Sequence, residues 1–559
     1  MTDVLTTQMK NLASPNKDKD VITTKGHTGQ HSYAIEEIDA FALHINETLG
    51  TDSSIANHLL PIQTGSVDLI HKISDGLLLC DFINHIQAHT IDIRALNKST
   101  NKTNNKSITK FQIIENQNIV ISSAKSIGVK VTNIGASELI DGENNIHIVL
   151  GIIWQLVKLH ILDNINLNNF PELVRLLLPN ESLADLLKLN AEDLLLRWFN
   201  FHLKNSGRVD KDITNFSSDV KDSKNYLILL NQIAPNQCKL DNVDNSDLNA
   251  RASSVLSNTE LLGIKPFIKS TDITAGNARL NLIFTASIFN HKHGLELLTV
   301  EEKSEIEKAG LMSDDVGDSR EERAYRMWIN SLNLNDIYIH NLFIDCTDGL
   351  IYLRLFDHIS PGCVVWKNVE MKPNNKFKKV SNCNYVVLLG KQLKFSLVGI
   401  QGSDLVDQNK KLILGLVWQM LRYHILKFIS AVRTERFGGS GGEVNDEQII
   451  QYANDRVHKS GKSTTIQSFK DQSIKSGLFI LDLLSAIEPR IINTEYITPG
   501  DTAENQLLNA RYAVSVARKL GAVIFCLPED IVEVKPKMIL VLLSSIMAID
   551  KLSTAEASG

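Results

Sequence analysis

The chain has 559 residues, of which 43% are hydrophobic and 22% charged, a composition typical of a soluble globular protein divided into several domains. With 30 glycines and 12 prolines it is neither collagen-like nor of low complexity, and its formal net charge of −6 does not indicate nucleic acid as a partner. Six cysteines, none in CxxC spacing, are too few for a disulfide scaffold and predict a reduced, cytosolic chain without a structural zinc or other metal site.

The N-terminal third contains a polar start and a strongly apolar segment. Residues 1–31 lack an apolar core of the signal-peptide type and are predicted to be disordered. The stretch Ile146–Leu162 is the best candidate for a membrane span, but Gln155, Lys158 and two histidines interrupt it. We therefore predict a helix buried in the centre of a module, and no membrane span.

Helical periodicity continues further along the chain. Apolar side chains recur at the i, i+3 and i+4 positions of one helix face: Leu194, Leu195, Trp198, Phe199 and Leu203. A second apolar run ends at Pro235, which cannot continue a helix. Long alternating patterns bounded by hairpin turns, which would indicate strands, are missing from the sequence. The pattern predicts an all-α protein.

The chain also repeats itself. The segment GIIWQLVKLHIL at 151–162 corresponds to GLVWQMLRYHIL at 415–426, with six of twelve positions identical. Upstream, SDGLLL at 74–79 corresponds to TDGLIY at 347–352, and an Asn-x-Asn pair follows each copy. A second repeat, NFHLKNSG and NDRVHKSG, lies between and after these matches. The order A, B, A′, B′ predicts a duplicated pair of modules.

The repeats place boundaries along the chain. The four modules are predicted at residues 32–163, 190–294, 320–432 and 443–553. An acidic linker at 295–319 joins the two pairs, and the glycine-rich RFGGSGGE at 436–443 is a flexible joint inside the second pair. The joint inside the first pair keeps helical leucines and is predicted to be stiffer.

Several of these segments resemble calponin-homology domains. They are DGLLLCDFIN at 75–84, LGIIWQ at 150–155, KDSKNYLILLNQIAP at 221–235 and PEDIVEVKPKM at 528–538. Four such domains in one chain are similar to the fimbrin (plastin) family. The resemblance implies two tandem actin-binding pairs, hence two F-actin sites in a monomer that cross-links filaments into bundles. It also implies a place in the cytoplasm on the actin cytoskeleton, with no catalysis and no cofactor.

The sequence departs from that family in one respect. Fimbrins commonly carry two calcium-binding EF-hands before the first module, whereas no D-x-[DN]-x-[DN]-G loop occurs before residue 32. The nearest imitation begins at Asp241 and has serine where glycine is required. We therefore expect bundling without direct calcium control.

Two kinds of residue are candidates for contacts with actin. Basic loops recur before the Asn-x-Asn helix of both A-type modules, and actin filaments are acidic. These lysines are Lys98, Lys102, Lys106 and Lys110, and Lys372, Lys376, Lys378 and Lys379. Polar side chains on the aligned apolar helices are the second set: Gln155, Lys158 and His160, and Gln419, Arg422 and His424. The alternative for the lysines is a solvated loop that only maintains solubility. Trp154 and Trp418 on these helices are predicted to be core residues.

Two other classes of function compete with this interpretation. An adaptor that binds microtubules or signalling partners is one, but tandem A–B pairs favour actin over an isolated module. An enzyme is the other, and the sequence offers no paired carboxylates or nucleophile motif for it. SGKSTT at 460–465 resembles the end of a phosphate-binding loop, but Arg456 stands where that loop needs glycine. The segment is predicted to be a helix end followed by a polar loop.

Overall fold

The structure, a computed structural model, is helical throughout the part of the chain that it describes. The described residues are 27–50, 55–98, 108–131, 134–167, 169–209, 211–303, 316–332, 334, 337–437 and 444–556. Every regular element in these ranges is an α-helix or a short 3-10 helix, and no strand occurs within them. The all-α prediction is confirmed.

The first pair of modules contains twelve α-helices among its described residues. In the first module they are α1 His27–Leu49, α2 Asp68–Lys72, α3 Leu77–Ile86, α4 Lys110–Ser126, α5 Ala136–Ile140 and α6 Ile146–Leu162. The joint contains α7 Leu183–Leu186 after a 3-10 helix, Pro171–Leu176. In the second module they are α8 Ala191–Asn205, α9 Lys224–Ile233, α10 Leu248–Leu261, α11 Ser270–Ala275 and α12 Ala278–His291.

The second pair repeats this order. In the third module the helices are α13 Val316–Ser331, α14 Leu342–Asp345, α15 Leu350–Ile359, α16 Lys376–Gln392, α17 Gly402–Val406 and α18 Lys410–Phe437. In the fourth they are α19 Asp446–Lys459, α20 Leu478–Ile487, α21 Ala503–Lys519, α22 Pro528–Val532 and α23 Pro536–Glu556. Further 3-10 turns lie at Asn57–Leu59, Ile93–Ala95, Trp366–Asn368, Gln472–Ser476, Pro489–Ile491 and Thr494–Tyr496.

A glycine in the left-handed region starts the equivalent helices α3, α15 and α20. Gly76, Gly349 and Gly477 have φ values of 82°, 80° and 74°. A Cβ atom added at these positions would lie 3.0, 2.9 and 2.7 Å from the Cβ atom of a buried asparagine on the following long helix. The second module has Ser223 here, with φ of 68°. Glycine is thus required by conformation and by close approach in three modules.

The asparagine opposite each glycine forms hydrogen bonds with backbone groups of two loops. Asn382 donates to the carbonyls of Asp348 and Glu370, both at 3.0 Å, and accepts from the Glu370 N–H at 2.9 Å. Asn116 in the first module and Asn509 in the fourth make the same three kinds of bond. One amide side chain therefore ties two loops to the long helix in each of these modules, as buried polar groups require.

The modules of each pair pack through their longest apolar helices. Helix α12 packs on α6 in the first pair, and α23 packs on α18 in the second. Within α18, Lys410–Ala431 has the length and apolar character of a membrane-crossing helix, with a mean hydropathy of 1.3. Core helices of soluble proteins have the same character, and Ile413, Val417 and Met420 of α18 are completely buried.

The two pairs also contact each other, because the first module packs on the third and fourth. Helix α4 lies against α21 and α13. Across this contact Arg94 donates to the carbonyls of Tyr496 and Leu508, at 3.1 and 2.6 Å. Lys519 donates to Asn97 at 2.9 Å. The first and fourth modules therefore come together, although more than 400 residues separate these partners in sequence.

The segment that follows the second module begins on the first pair. Leu295 and Leu298 are buried, and the Arg175 guanidinium binds the Glu302 carboxylate at 2.7 and 2.8 Å. Residues 295–303, predicted as the start of the linker, therefore pack on folded structure. The middle of the linker, residues 304–315, and the glycine-rich part of the other joint, 438–443, lie outside the described residues.

Candidate functional site

The basic loop of the first module leads into α4. Lys98 and Lys110 are exposed, while Lys102 and Lys106 lie outside the described residues. A capping box fixes the start of the helix: Thr109 Oγ1 accepts from the Gln112 N–H, and Gln112 Oε1 accepts from the Thr109 N–H. The cap thereby holds Lys110 and its neighbours at a defined, solvent-facing helix end.

The equivalent loop of the third module leads into α16. Lys372 is exposed and Lys379 is half-buried. The other two cations have acidic neighbours, since Lys376 lies 2.6 Å from Asp407 and Lys378 lies 3.3 Å from Glu370. The two copies of the loop thus share a position, but the positive charge of the second copy is partly compensated.

An exposed phenylalanine stands at the second residue of both helices. The side chain of Phe111 is 74% exposed and that of Phe377 is 89% exposed. Such exposure of a large apolar ring is unusual at one site, and here it recurs at equivalent positions beside two basic loops. These phenylalanines were not among the candidates predicted from the sequence, because an apolar residue near a helix start also fits a core position. Their recurrence in both copies was the available signal.

The cations on the aligned apolar helices connect the modules within each pair. Lys158 of α6 lies 3.6 Å from Glu192 in α8, the first helix of the second module. Arg422 of α18 lies 2.6 Å from Asp446 in α19, the first helix of the fourth module. These equivalent residues, predicted as filament contacts, form intramolecular ion pairs in both halves.

The two histidines predicted as contacts pack inside their modules. His160 Nδ1 lies 3.1 Å from His44 Nε2, and burial together with the nearby His85 lowers the pKa of His160 to about 4. His424 Nδ1 lies 3.3 Å from Trp328 Nε1, and burial lowers its pKa to about 4. Both imidazoles are therefore neutral at physiological pH and contribute to packing.

The glutamines predicted as filament contacts and the tryptophans predicted as core residues are less exposed than the basic loops. Gln155 and Gln419 are half-buried. Trp154 is buried, as predicted for a core residue, whereas Trp418 is half-buried beneath Lys537, which lies 5.9 Å from its ring centre. Gln155, Lys158, Lys372 and Lys379 all border one cavity of about 1160 Å³ between the first pair and the third module.

Among the described residues, no group of three or more His, Cys, Asp or Glu side chains is arranged to hold a metal ion. The described cysteines are unpaired thiols, and five of the six are buried.

The two halves share a surface element, defined by an exposed lysine-rich helix start and an exposed phenylalanine. We call it the loop–helix element, comprising Lys98, Lys110 and Phe111 in the first module and Lys372, Lys376 and Phe377 in the third.

Comparisons with known proteins agree with the four-module description. The calponin homology (CH) domain model matches residues 39–161, 189–294, 319–425 and 443–551. Fimbrin of Schizosaccharomyces pombe is 41% identical over 97% of this chain and 86% of its own length. Fimbrin of Saccharomyces cerevisiae is 42% identical over 95% of this chain and 81% of its own, and plastin-3 of Rattus norvegicus is 42% identical over 93% and 80%.

A solved structure shows the same arrangement. The crystal structure of the actin-crosslinking core of S. pombe fimbrin matches with a TM-score of 0.75 and 38% identity. The match covers 92% of this chain and 99% of that one, so it includes all four modules. The chain belongs to the fimbrin (plastin) family of proteins with four calponin-homology domains.

Proposed function

We propose that this chain binds F-actin through each of its two calponin-homology pairs and holds neighbouring filaments together in bundles. The observation that carries the proposal is the match of 92% of the chain to a structure described as an actin-crosslinking core. The function needs no catalysis, because two binding sites on one chain are sufficient for cross-linking. A monomer located on the actin cytoskeleton of the cytoplasm fits this function, since the duplication supplies both sites.

The proposal is tested by sedimentation of the whole chain with actin filaments. We expect pelleting of filaments at low speed, which reports bundles, and a monomeric mass by light scattering before actin is added. Samples with calcium and samples with a calcium chelator, at the same magnesium concentration, are expected to give equal amounts of actin in the low-speed pellet. Microtubules replace actin in a parallel series. Binding to microtubules without binding to actin would favour the adaptor function instead.

Within the first pair, we propose that the loop–helix element contacts the filament. Its lysines supply long-range attraction to an acidic partner, and Phe111 supplies an apolar anchor of the kind that dominates protein interfaces. Gln155, Lys158 and His160 are less suitable, because the first is half-buried and the other two already have intramolecular partners. Gln419, Arg422 and His424 correspond to them in the second pair, with the same limitation for Arg422 and His424.

Replacing all four lysines of the first loop by glutamate is expected to weaken actin binding by residues 27–303 and to flatten its salt dependence. The variant changes Lys98, Lys102, Lys106 and Lys110 together. Screening acts over about 8–10 Å at physiological ionic strength, so a loop that steers binding makes affinity fall with salt. Exposed lysines contribute little to folding, so thermal unfolding is expected to stay within a few degrees. Co-sedimentation across a salt series measures both effects.

The matched control reverses four exposed lysines of the second module: Lys211, Lys221, Lys239 and Lys265. The control has the same charge change and is expected to bind better than the loop variant. Phe111→Ala alone is expected to weaken binding by about tenfold or more, the effect of losing an interface aromatic. If the loop variant and the control bind equally, the loop is a solvated insert and the contact lies elsewhere.

A further inference from the structure

Four arginines surround a cavity where the first, third and fourth modules meet. The cavity has a volume of about 450 Å³. Arg320 and Arg323 reach it from α13, and Arg511 and Arg518 reach it from α21. The first module closes it with residues 87–90, at the end of α3. We call this cavity the arginine junction.

Three of these arginines form no salt bridge within the described part of the chain. Arg320 binds Glu533 at 2.6 Å and lies 3.9 Å from Asp530. In the described part of the chain, neither Arg323, Arg511 nor Arg518 has a carboxylate oxygen within 4.0 Å. Two glutamates line the cavity against four arginines, and Asp530 beside Arg320 is a third carboxylate, so the arginines outnumber the nearby acids by one. One of the two, Glu533, is engaged by Arg320 and lies 3.2 Å from Lys535.

The buried Arg518 and the half-buried Arg323 donate to neutral groups, and other donors at the cavity stay unused. Arg518 is only 4% exposed and donates to the carbonyls of Thr90 and Ile524, at 2.6 and 3.0 Å. Arg323 donates to Gln87 Oε1 at 2.9 Å. The Nε atoms of Arg320, Arg511 and Arg518 are buried, and within the described residues they have no hydrogen-bond acceptor. Three unsatisfied charged donors at one cavity are costly unless an acceptor enters it.

Burial, more than repulsion between the cations, lowers the pKa values of two guanidinium groups at this cavity. Burial lowers the pKa of Arg518 to about 10, and the positive charge of Arg323 adds to the decrease. Burial and the neighbouring Arg326 lower the pKa of Arg323, although the carboxylates of Asp530, Glu322 and Asp163 partly oppose this decrease. A bound anion offsets both causes, because it restores a counter-charge to the buried cations.

We propose that the arginine junction binds a small phosphate-bearing anion. Guanidinium groups present paired N–H donors that match phosphate oxygens, and arginine is the preferred residue for such recognition. The volume fits a phosphate group with a small polar body attached, since ligand cavities of this class begin at about 300 Å³. The ligand contacts three modules at once, so it fixes the first pair against the second.

The proposal is independent of actin binding and is tested on the full chain without actin. Inorganic phosphate and inositol trisphosphate are titrated by calorimetry, with chloride at matched ionic strength as reference. We expect saturable binding of one equivalent and a raised unfolding temperature that chloride does not give. Vesicles containing phosphatidylinositol bisphosphate form a separate arm, in which binding identifies a lipid headgroup as the source and its absence identifies a free anion.

Arg511→Gln is the diagnostic variant, because Arg511 is half-buried and has no carboxylate within 4.0 Å among the described residues. Its affinity for the anion is expected to fall by about tenfold or more, the effect of losing a charge-assisted hydrogen bond. Arg511→Lys keeps the positive charge but lacks the paired N–H donors of a guanidinium group. Its affinity for the anion is expected to lie between those of the wild type and Arg511→Gln. This variant also tests the proposal if Arg511→Gln unfolds. Arg490→Gln, an exposed site in the same module, is the control. No saturable binding of any probe, or equal binding by Arg511→Gln and the control, would overturn the proposal.

Discussion

Separating the two pairs is expected to abolish bundling while each pair still binds filaments. Residues 27–303 and 316–556 are the natural halves, because 295–303 pack on the first pair and α13 begins at Val316. Each half keeps complete module cores and the helix contact that joins its two modules. Once one pair of the intact chain is bound, its partner is confined near a second filament at an effective concentration of ~mM. A separate half has no such partner.

High-speed and low-speed sedimentation distinguish these outcomes. Both halves are expected in the high-speed pellet with actin, and only the whole chain is expected to bring filaments down at low speed. An equimolar mixture of the halves is the control, since the contacts of Arg94 and Lys519 could hold them together without a covalent link. If one half alone bundles filaments as well as the whole chain, the two-site model is wrong and dimerisation must supply the second site.

Removing the asparagine of the third module is expected to unfold that module locally. Asn382 is 2% exposed and satisfies three backbone groups of two loops, at 2.9 to 3.0 Å. In Asn382→Ala these partly buried backbone groups lose three hydrogen bonds, each contributing about 1 kcal/mol, so a loss of roughly 3 kcal/mol is expected. That is a large fraction of the stability of one domain.

Gly349→Ala tests the same contact between the glycine and Asn382, from the glycine side. The added Cβ would lie 2.9 Å from the Asn382 Cβ atom, at a φ of 80° that L side chains rarely adopt. We expect a destabilisation of about 1–3 kcal/mol from strain and crowding. Ser223→Gly in the second module is the reciprocal control and is expected to be neutral or stabilising, because glycine relieves the left-handed conformation there.

Hydrogen exchange of the whole chain provides the measurement, since unfolding of a four-module protein is not two-state. Amides of α15 and α16 are expected to exchange faster in both third-module variants. The equivalent helices α3 and α4 of the first module are an internal reference and are expected to stay unchanged. Unchanged exchange in α15 of Asn382→Ala would show that the three hydrogen bonds contribute little to the stability of the module.

The sequence by itself determined the modules, because their signals are local. Apolar periodicity and repeated segments depend on residues close together in the chain, and a helix is specified over a few turns. Four helical modules in the order A, B, A′, B′ follow from such patterns, and the resemblance to calponin-homology domains supplied actin as the expected partner. The exposed lysines at 98 and 110 were also predictable, because a run of cations without acids is solvated.

Only the tertiary structure showed which residues at equivalent positions of the repeat have different partners. Asn118 and Asn384 align in the repeat, yet Asn118 donates across modules to the carbonyl of Lys519, while Asn384 accepts from Gly402 within its own module. Lys158 and Arg422 interrupt apolar helices as solvent contacts would, but each binds the next module. A periodic pattern marks a polar position on a helix without specifying what faces it.

The arginine junction shows most clearly that the local sequence does not specify which side chains meet in space. Arg518 contacts Thr90 from 428 positions away, and its neighbours Arg320 and Arg323 come from a third module. Each arginine lies in an unremarkable helical context in the sequence, so none was a candidate. Their convergence depends on the packing of α4 against α13 and α21, which is fixed by the shapes of assembled modules and not by the local sequence of any one of them.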